Sequence, residues 1–159
     1  MSPRAAWRLE ALGFSPVLDY AAGKVDWGAA GLRYEGSLAG RPTAGDAADV
    51  DVPTCSTAED LATVRERVRA SDFETCIVVN DQRIVLGRLG RRALGTGAVL
   101  SVEGAMTEGP STVRPSLLLA DLVTQMVDGG RTTALVTTLD GRLVGLVRRE
   151  AAKTMIDSQ

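Results

Sequence analysis

Residues 133–151 read TALVTTLDGRLVGLVRREA, and residues 75–93 read TCIVVNDQRIVLGRLGRRA. Slid by 58 positions, the second stretch falls on the first without a gap. Thr133-Ala134-Leu135-Val136 covers Thr75-Cys76-Ile77-Val78, Leu143-Val144-Gly145 covers Val85-Leu86-Gly87, and Arg149 covers Arg91. Each stretch holds two runs rich in β-branched and aliphatic residues, broken by a polar turn: Asn80-Asp81-Gln82-Arg83 in one, Leu139-Asp140-Gly141 in the other. That is the signature of a β-hairpin, and its recurrence at a fixed offset marks an internal duplication.

The pattern extends upstream of both hairpins. Leu61, Val64 and Val68 recur at helical spacing and fall on Leu119, Leu122 and Met126. Ser56, with Glu59 three residues on, has the form of a capping box and predicts a helix over 57–70. In the second copy Pro115 suits a first helical turn, and Gly129-Gly130 ends the helix after Val127. Further helices are expected from about Gly90 and over 148–157. Each unit therefore reads helix, strand, strand, helix, and the chain as an α/β (α+β) protein.

Composition bounds what such a fold does. The 159 residues carry 18 Lys plus Arg against 20 Asp plus Glu, for a net charge of −2, and 45% are hydrophobic, enough for a buried core. No broad basic field exists for nucleic acid, no apolar run approaches the roughly 18 residues that span a bilayer, and the start lacks a hydrophobic signal core. The expectation is a cytoplasmic protein that engages neither nucleic acid nor membrane. The chain has no His, which removes Ser/His and Cys/His nucleophile pairs and the commonest metal ligand. Cys55 and Cys76 have neither zinc-knuckle nor redox-loop spacing and read as small core residues. An enzyme is not expected.

With VEGAMTEGPSTVRP at 102–115 leading into the second copy and the hairpin and helix of 133–151 following it, the duplication closely resembles a tandem pair of CBS domains, a Bateman module. The resemblance covers about 46–157. It implies two units, 46–97 and 98–159, packed as a pseudo-twofold disc with two clefts open to an adenosine-containing ligand such as AMP, ATP or S-adenosylmethionine. It also implies a non-catalytic regulatory role and a homodimer formed through the helices of the pair. The alternative is a structural dimerisation or protein-interaction module with no small-molecule ligand.

The family's ligand signature is a Gly, then Thr or Ser three residues on, then Asp three further, where the last strand turns into the last helix. In this chain Gly87 and Gly145 match. Gly90 and Arg148 stand at the hydroxyl, and Ala93 and Ala151 at the carboxylate that would hold the ribose. A hydrogen bond to a charged group is worth roughly 1.5–3 kcal/mol, so each missing carboxylate weakens a ribose-bearing ligand on the order of 10- to 100-fold. The candidate ligand-binding residues are Gly87, Gly90, Arg91, Arg92, Thr133, Ala134, Gly145, Arg148 and Arg149. The arginines admit two readings: an anion site for phosphate, or solvated cations paired with surface carboxylates such as Glu150 or with a dimer partner.

The first 35 residues hold both tryptophans. A helix is expected over 4–12 with Gly13 as its stop, then a short strand over 16–20, then a helical stretch over 25–30. This helix-strand-helix extension, SPRAAWRLEALGFSPVLDYAAGKVDWGAAG, resembles the last third of a rhodanese-like domain. Such a domain carries its Cys nucleophile just upstream of this helix, where Met1 stands here, so a remnant sulfurtransferase is the minor alternative and no catalytic residue is carried over. Trp7, Phe14 and Trp27 are expected to dock, on the pair or on a second subunit, in preference to lying loosely tethered, with 36–45 as a linker.

Overall fold

The computed structural model describes residues 2–18, 20, 23–29, 32, 35–36, 40–95 and 101–158. Helices α1 (Ser2–Ala11) and α2 (Gly23–Ala29) precede a mixed α/β body. The first half of that body runs β1 (Thr54–Cys55), α3 (Leu61–Arg69), β2 (Cys76–Val79), β3 (Val85–Leu89) and α4 (Arg91–Gly95). The remainder comprises α5 (Val102–Ala105), β4 (Thr107–Glu108), β5 (Thr112–Val113), α6 (Leu119–Asp128), β6 (Thr133–Thr137), β7 (Leu143–Arg148) and α7 (Arg149–Asp157). One sheet has the order β1-β2-β3-β4 and the other β5-β6-β7.

The duplication is physical. In each half a strand pairs parallel to the first arm of the hairpin, Thr54 with Ile77 and Thr112 with Leu135, and the hairpins are antiparallel with equivalent registers. Leu61, Val64 and Val68 are buried, as are Leu119, Leu122 and Met126. The turns match as well: Arg83 and Gly141, 58 residues apart, both adopt positive φ, 61° and 83°. The hairpins meet end to end, with Val85 N–H donating to Gly141 O at 3.0 Å and Leu143 N–H to Arg83 O at 2.9 Å. Val52, Ile77, Leu135, Leu143 and Leu146 form a core shared by the halves.

The halves also exchange their lead-in segments. β4 lies against β3, pairing Thr107 with Arg88, and at the matching positions of the other copy Asp49 bridges Leu146. Val102 is buried in the first half's core and Ala44 in the second's. Part of the stretch expected as linker is thus structural. Thr43 N–H is held by Asp46 Oδ2 at 2.8 Å, and Ala44 and Gly45 donate to Leu117 O and Pro115 O at 2.8 and 2.9 Å.

Further expectations are corrected. The helix expected over 57–70 begins at Leu61, because Asp60 accepts from Ala62 N–H at 3.0 Å and Thr63 N–H at 3.2 Å and is the N-cap. Glu59 still bonds Ser56 N–H at 2.8 Å, so the expected pair exists one turn outside the helix. α6 begins at Leu119 rather than Pro115, since residues 115–118 are engaged by the lead-in segment and Leu119 N–H donates to Pro42 O at 2.9 Å. Among the described residues of 12–20 there is no strand; Pro16 lacks an N–H and no neighbouring strand is at hand to pair with it. Within one chain Trp7, 68% exposed, and Phe14, 60% exposed, do not dock on the pair, while Trp27 stacks edge-on against Tyr20 with centroids 5.3 Å apart.

Candidate functional site

Where the two sheets approach, the starts of β2 and β6 and the ends of β3 and β7 leave a cleft of about 470 Å³, within the usual range for small-molecule sites. Duplicate residues line it from both sides: Thr75 with Thr133, Glu74 with Thr132, and Arg91 with Arg149. Phe73, Arg148 and Glu150 complete much of the wall, and Arg88 belongs to it too. Among the described residues no group of three or more Cys, Asp or Glu is placed to hold a metal ion.

Of the residues singled out by sequence, Arg91, Thr133, Arg148 and Arg149 come together in this cleft. Their guanidinium groups are engaged. Arg91 pairs with Glu74, which pushes the Arg91 guanidinium above its ordinary value. Arg148 pairs with Asp49 at 3.0 Å and lies over the Phe73 ring, 5.1 Å from its centroid. Arg149 Nε reaches Glu150 at 3.2 Å and Nη1 donates to Arg131 O at 3.2 Å. Arg149 and Lys153 together hold the Glu150 carboxyl below its ordinary range.

The other candidates lie elsewhere. Gly87 and Gly145 are buried under the exchanged segments: a Cβ on Gly145 would come within 2.6 Å of Asp49 O, and one on Gly87 within 2.6 Å of Met106 Sδ. Close packing accounts for both glycines. Ala134 packs in the second half's core. Gly90 faces open space, and Arg92 is exposed outside the cleft lining. Ala93 packs against the first half's core, and Ala151 is exposed. Neither offers a carboxylate.

Sequence reasoning missed Arg88 and Phe73. Arg88 Nε donates to Thr75 Oγ1 at 2.8 Å and its Nη2 to Thr133 Oγ1 at 3.1 Å, so one side chain bridges the two halves. Thr75 is buried, and its hydroxyl donates a hydrogen bond to Leu89 O at 2.9 Å. Burial lowers the Arg88 guanidinium below its ordinary value. The duplication itself held the signal, since Arg88 falls on Leu146 and a cation facing an aliphatic counterpart departs from an otherwise similar pattern.

The two halves and their packing match known architecture. Residues 101–157 match the family model of the CBS domain. The body superposes on the solved structure of CBSX2 in complex with AMP (TM-score 0.66, 18% identity, 74% of this chain and 97% of that one). Its fold is that of a CBS-domain pair. It is likewise similar to the CBS-domain pair of protein MJ0100 in complex with 5′-methylthioadenosine and S-adenosyl-L-methionine (TM-score 0.64, 12% identity, 74% and 98%). A third match is the cytosolic domain of the Mg²⁺ channel MgtE in complex with ATP (TM-score 0.65, 20% identity); there 72% of this chain is covered, and the chain spans 48% of that structure. No curated protein sequence matches the chain. No described helix is long and apolar enough to cross a membrane.

Proposed function

We propose that the chain is a non-catalytic regulatory module whose axial cleft takes an adenosine-containing ligand, AMP, ATP or S-adenosylmethionine, and passes its occupancy on through a homodimer. One observation carries the reading: the cleft is built from equivalent residues of both halves, Thr75 with Thr133 and Arg91 with Arg149, so a ligand within it touches both units at once. The ligands named in the similar solved structures support it. With Ala93 and Ala151 in place of a ribose acceptor, base and phosphate dominate the contacts, and affinity rises from adenosine to ATP and falls with salt.

A thermal-shift panel of adenosine, AMP, ATP and S-adenosylmethionine tests the reading. A ligand at 100 times its dissociation constant stabilises the fold by about 2.7 kcal/mol. Light scattering at micromolar concentration should give about twice the 16.7 kDa chain mass. The second reading, a structural or interaction module, draws on the pairing of Arg91, Arg148 and Arg149 with carboxylates of the same chain. A dimer with no shift from any ligand selects it. Neither reading assigns residues 1–35 a catalytic role; both cysteines lie outside them and are buried.

A further inference from the structure

Duplicate residues line the cleft from both halves, and among its departures from symmetry one is a cation with no carboxylate paired to it among the described residues. Thr75 faces Thr133, and Arg91 has its counterpart in Arg149, but Arg88 corresponds to Leu146, which is 1% exposed. The other arginines of the cleft each meet a carboxylate. Arg88 makes no ion pair among the described residues; its partners are two hydroxyl oxygens. A guanidinium has five N–H donors in a planar fork, and these bonds use two. A half-buried cation whose partners are neutral is electrostatically incomplete. The threonines fix the plane of its fork, so that the remaining donors are oriented before any ligand arrives.

We propose that Arg88 seats a single phosphate-type anion in this cleft, one per chain, in place of one ligand in each half. The inference rests on the reading of the cleft as a ligand site and narrows it to a phosphate-bearing ligand, oriented by the asymmetry between Arg88 and Leu146. Arg fits the role because its fork meets two phosphate oxygens at once. A ligand so held has its phosphate on the axis, between Thr75 and Thr133.

The test is calorimetry of adenosine, AMP, ATP and inorganic tripolyphosphate on the full chain and on Arg88→Leu and Arg88→Lys. Leucine already occupies the equivalent position of the other half, and circular dichroism melts confirm that each variant is folded. On the unmodified chain, phenylglyoxal labelling mapped by mass spectrometry adds a measurement that needs no variant. The expected results are one ATP per chain, at least a tenfold loss of ATP and tripolyphosphate affinity in Arg88→Leu, partial recovery in Arg88→Lys, and protection of Arg88 from phenylglyoxal by ATP. Two equivalents of ATP, or undiminished ATP binding by Arg88→Leu, overturns the proposal and leaves the adenosine reading standing. Tripolyphosphate bound through Arg88 without any gain from adenosine upholds the anion seat and removes the adenosine reading. Failure of every ligand to bind overturns both.

Discussion

Replacing Gly145 with Ala should be among the most damaging single-methyl changes in the protein, although it stands at a position a ligand-binding argument would also single out. The added Cβ would lie 2.6 Å from Asp49 O, 2.9 Å from Asp49 C and 3.1 Å from Ala48 Cβ, two of them backbone atoms that cannot swing aside. Relief requires the exchanged segment to lift, which strains or breaks the paired bonds Asp49 N–H to Leu146 O and Leu146 N–H to Asp49 O, both 3.0 Å. Overpacking costs roughly 1–3 kcal/mol and each lost bond about 0.5–1.5 kcal/mol, so the expected loss with both bonds broken is about 2–6 kcal/mol. For a chain of this size that lowers the melting temperature by roughly 4–24 °C. Gly87→Ala should cost less, about 1–2 kcal/mol, because its nearest obstacle is the flexible thioether of Met106. Gly90→Ala meets nothing within 4 Å and should fall within about 0.5 kcal/mol of wild type. Urea melts of the three variants, without ligand, decide the matter. If Gly145→Ala is as stable as Gly90→Ala, the exchanged segment does not seal the second half as described, and the glycine must be explained by a ligand.

Asp60→Ala removes the N-cap of α3 and should cost about 1 kcal/mol in a urea melt, whereas Ser56→Ala, outside the helix, should cost less. The Glu59 carboxyl is held below its ordinary value, first by Arg67 at 2.5 Å and then by Ser56 N–H. A depressed acid contributes stability above its unfolded pKa, about 4.5, and loses it as pH falls through the folded value. Stability should therefore drop with acid below about pH 4.5, less steeply in Glu59→Gln, as read from melts at pH 3 to 7. The neighbouring Cys55 thiol, together with burial, pushes the Cys76 thiol up. With both sulfurs buried, a thiol reagent such as DTNB at pH 8 should label neither in the native protein and both after guanidinium unfolding. Rapid native labelling would show that the β1–β2 edge opens readily.

Burial periodicity is a local property, and so the repeat was legible. The stripes Leu61, Val64, Val68 and Leu119, Leu122, Met126 each need a sheet to cover them, and the hairpin runs beside them in sequence supply it. Helix starts were less legible because capping is a competition among neighbours: Asp60 wins over Ser56 in one half, and in the other a carbonyl from Pro42, distant in sequence, takes the first N–H of α6. The cleft was half legible for a similar reason. The family signature sits at the strand-to-helix junctions, and there Gly90, Ala93 and Ala151 present nothing to a ligand. The proposed anion seat lies at the sheet ends, where Thr75, Thr133 and Arg88 converge only once two units have paired.

The exchange of lead-in segments explains why pairing is obligatory for such a cleft. Residues 42–49 carry small and acidic side chains with no period of their own, so they specify neither helix nor strand. Their conformation is imposed by what they cover: Ala44 fills the core beneath α6 and α7, Asp49 closes the edge of β7, and Gly45 comes within 3.1 Å of Pro115 if given a Cβ. In the other direction Val102 and Met106 close the core above α3, and β4 covers β3. Each half's core therefore contains residues from the other's stretch of chain. Separating the units would expose both cores as well as the shared surface of Ile77, Leu135 and Leu146. Because the covering segments run on directly into β1 and β5, the strands beside the first arms of the hairpins, a shift at either sheet edge is transmitted across the axis. Arg88 spans that axis through Thr75 and Thr133, and whatever neutralises it acts on both halves together.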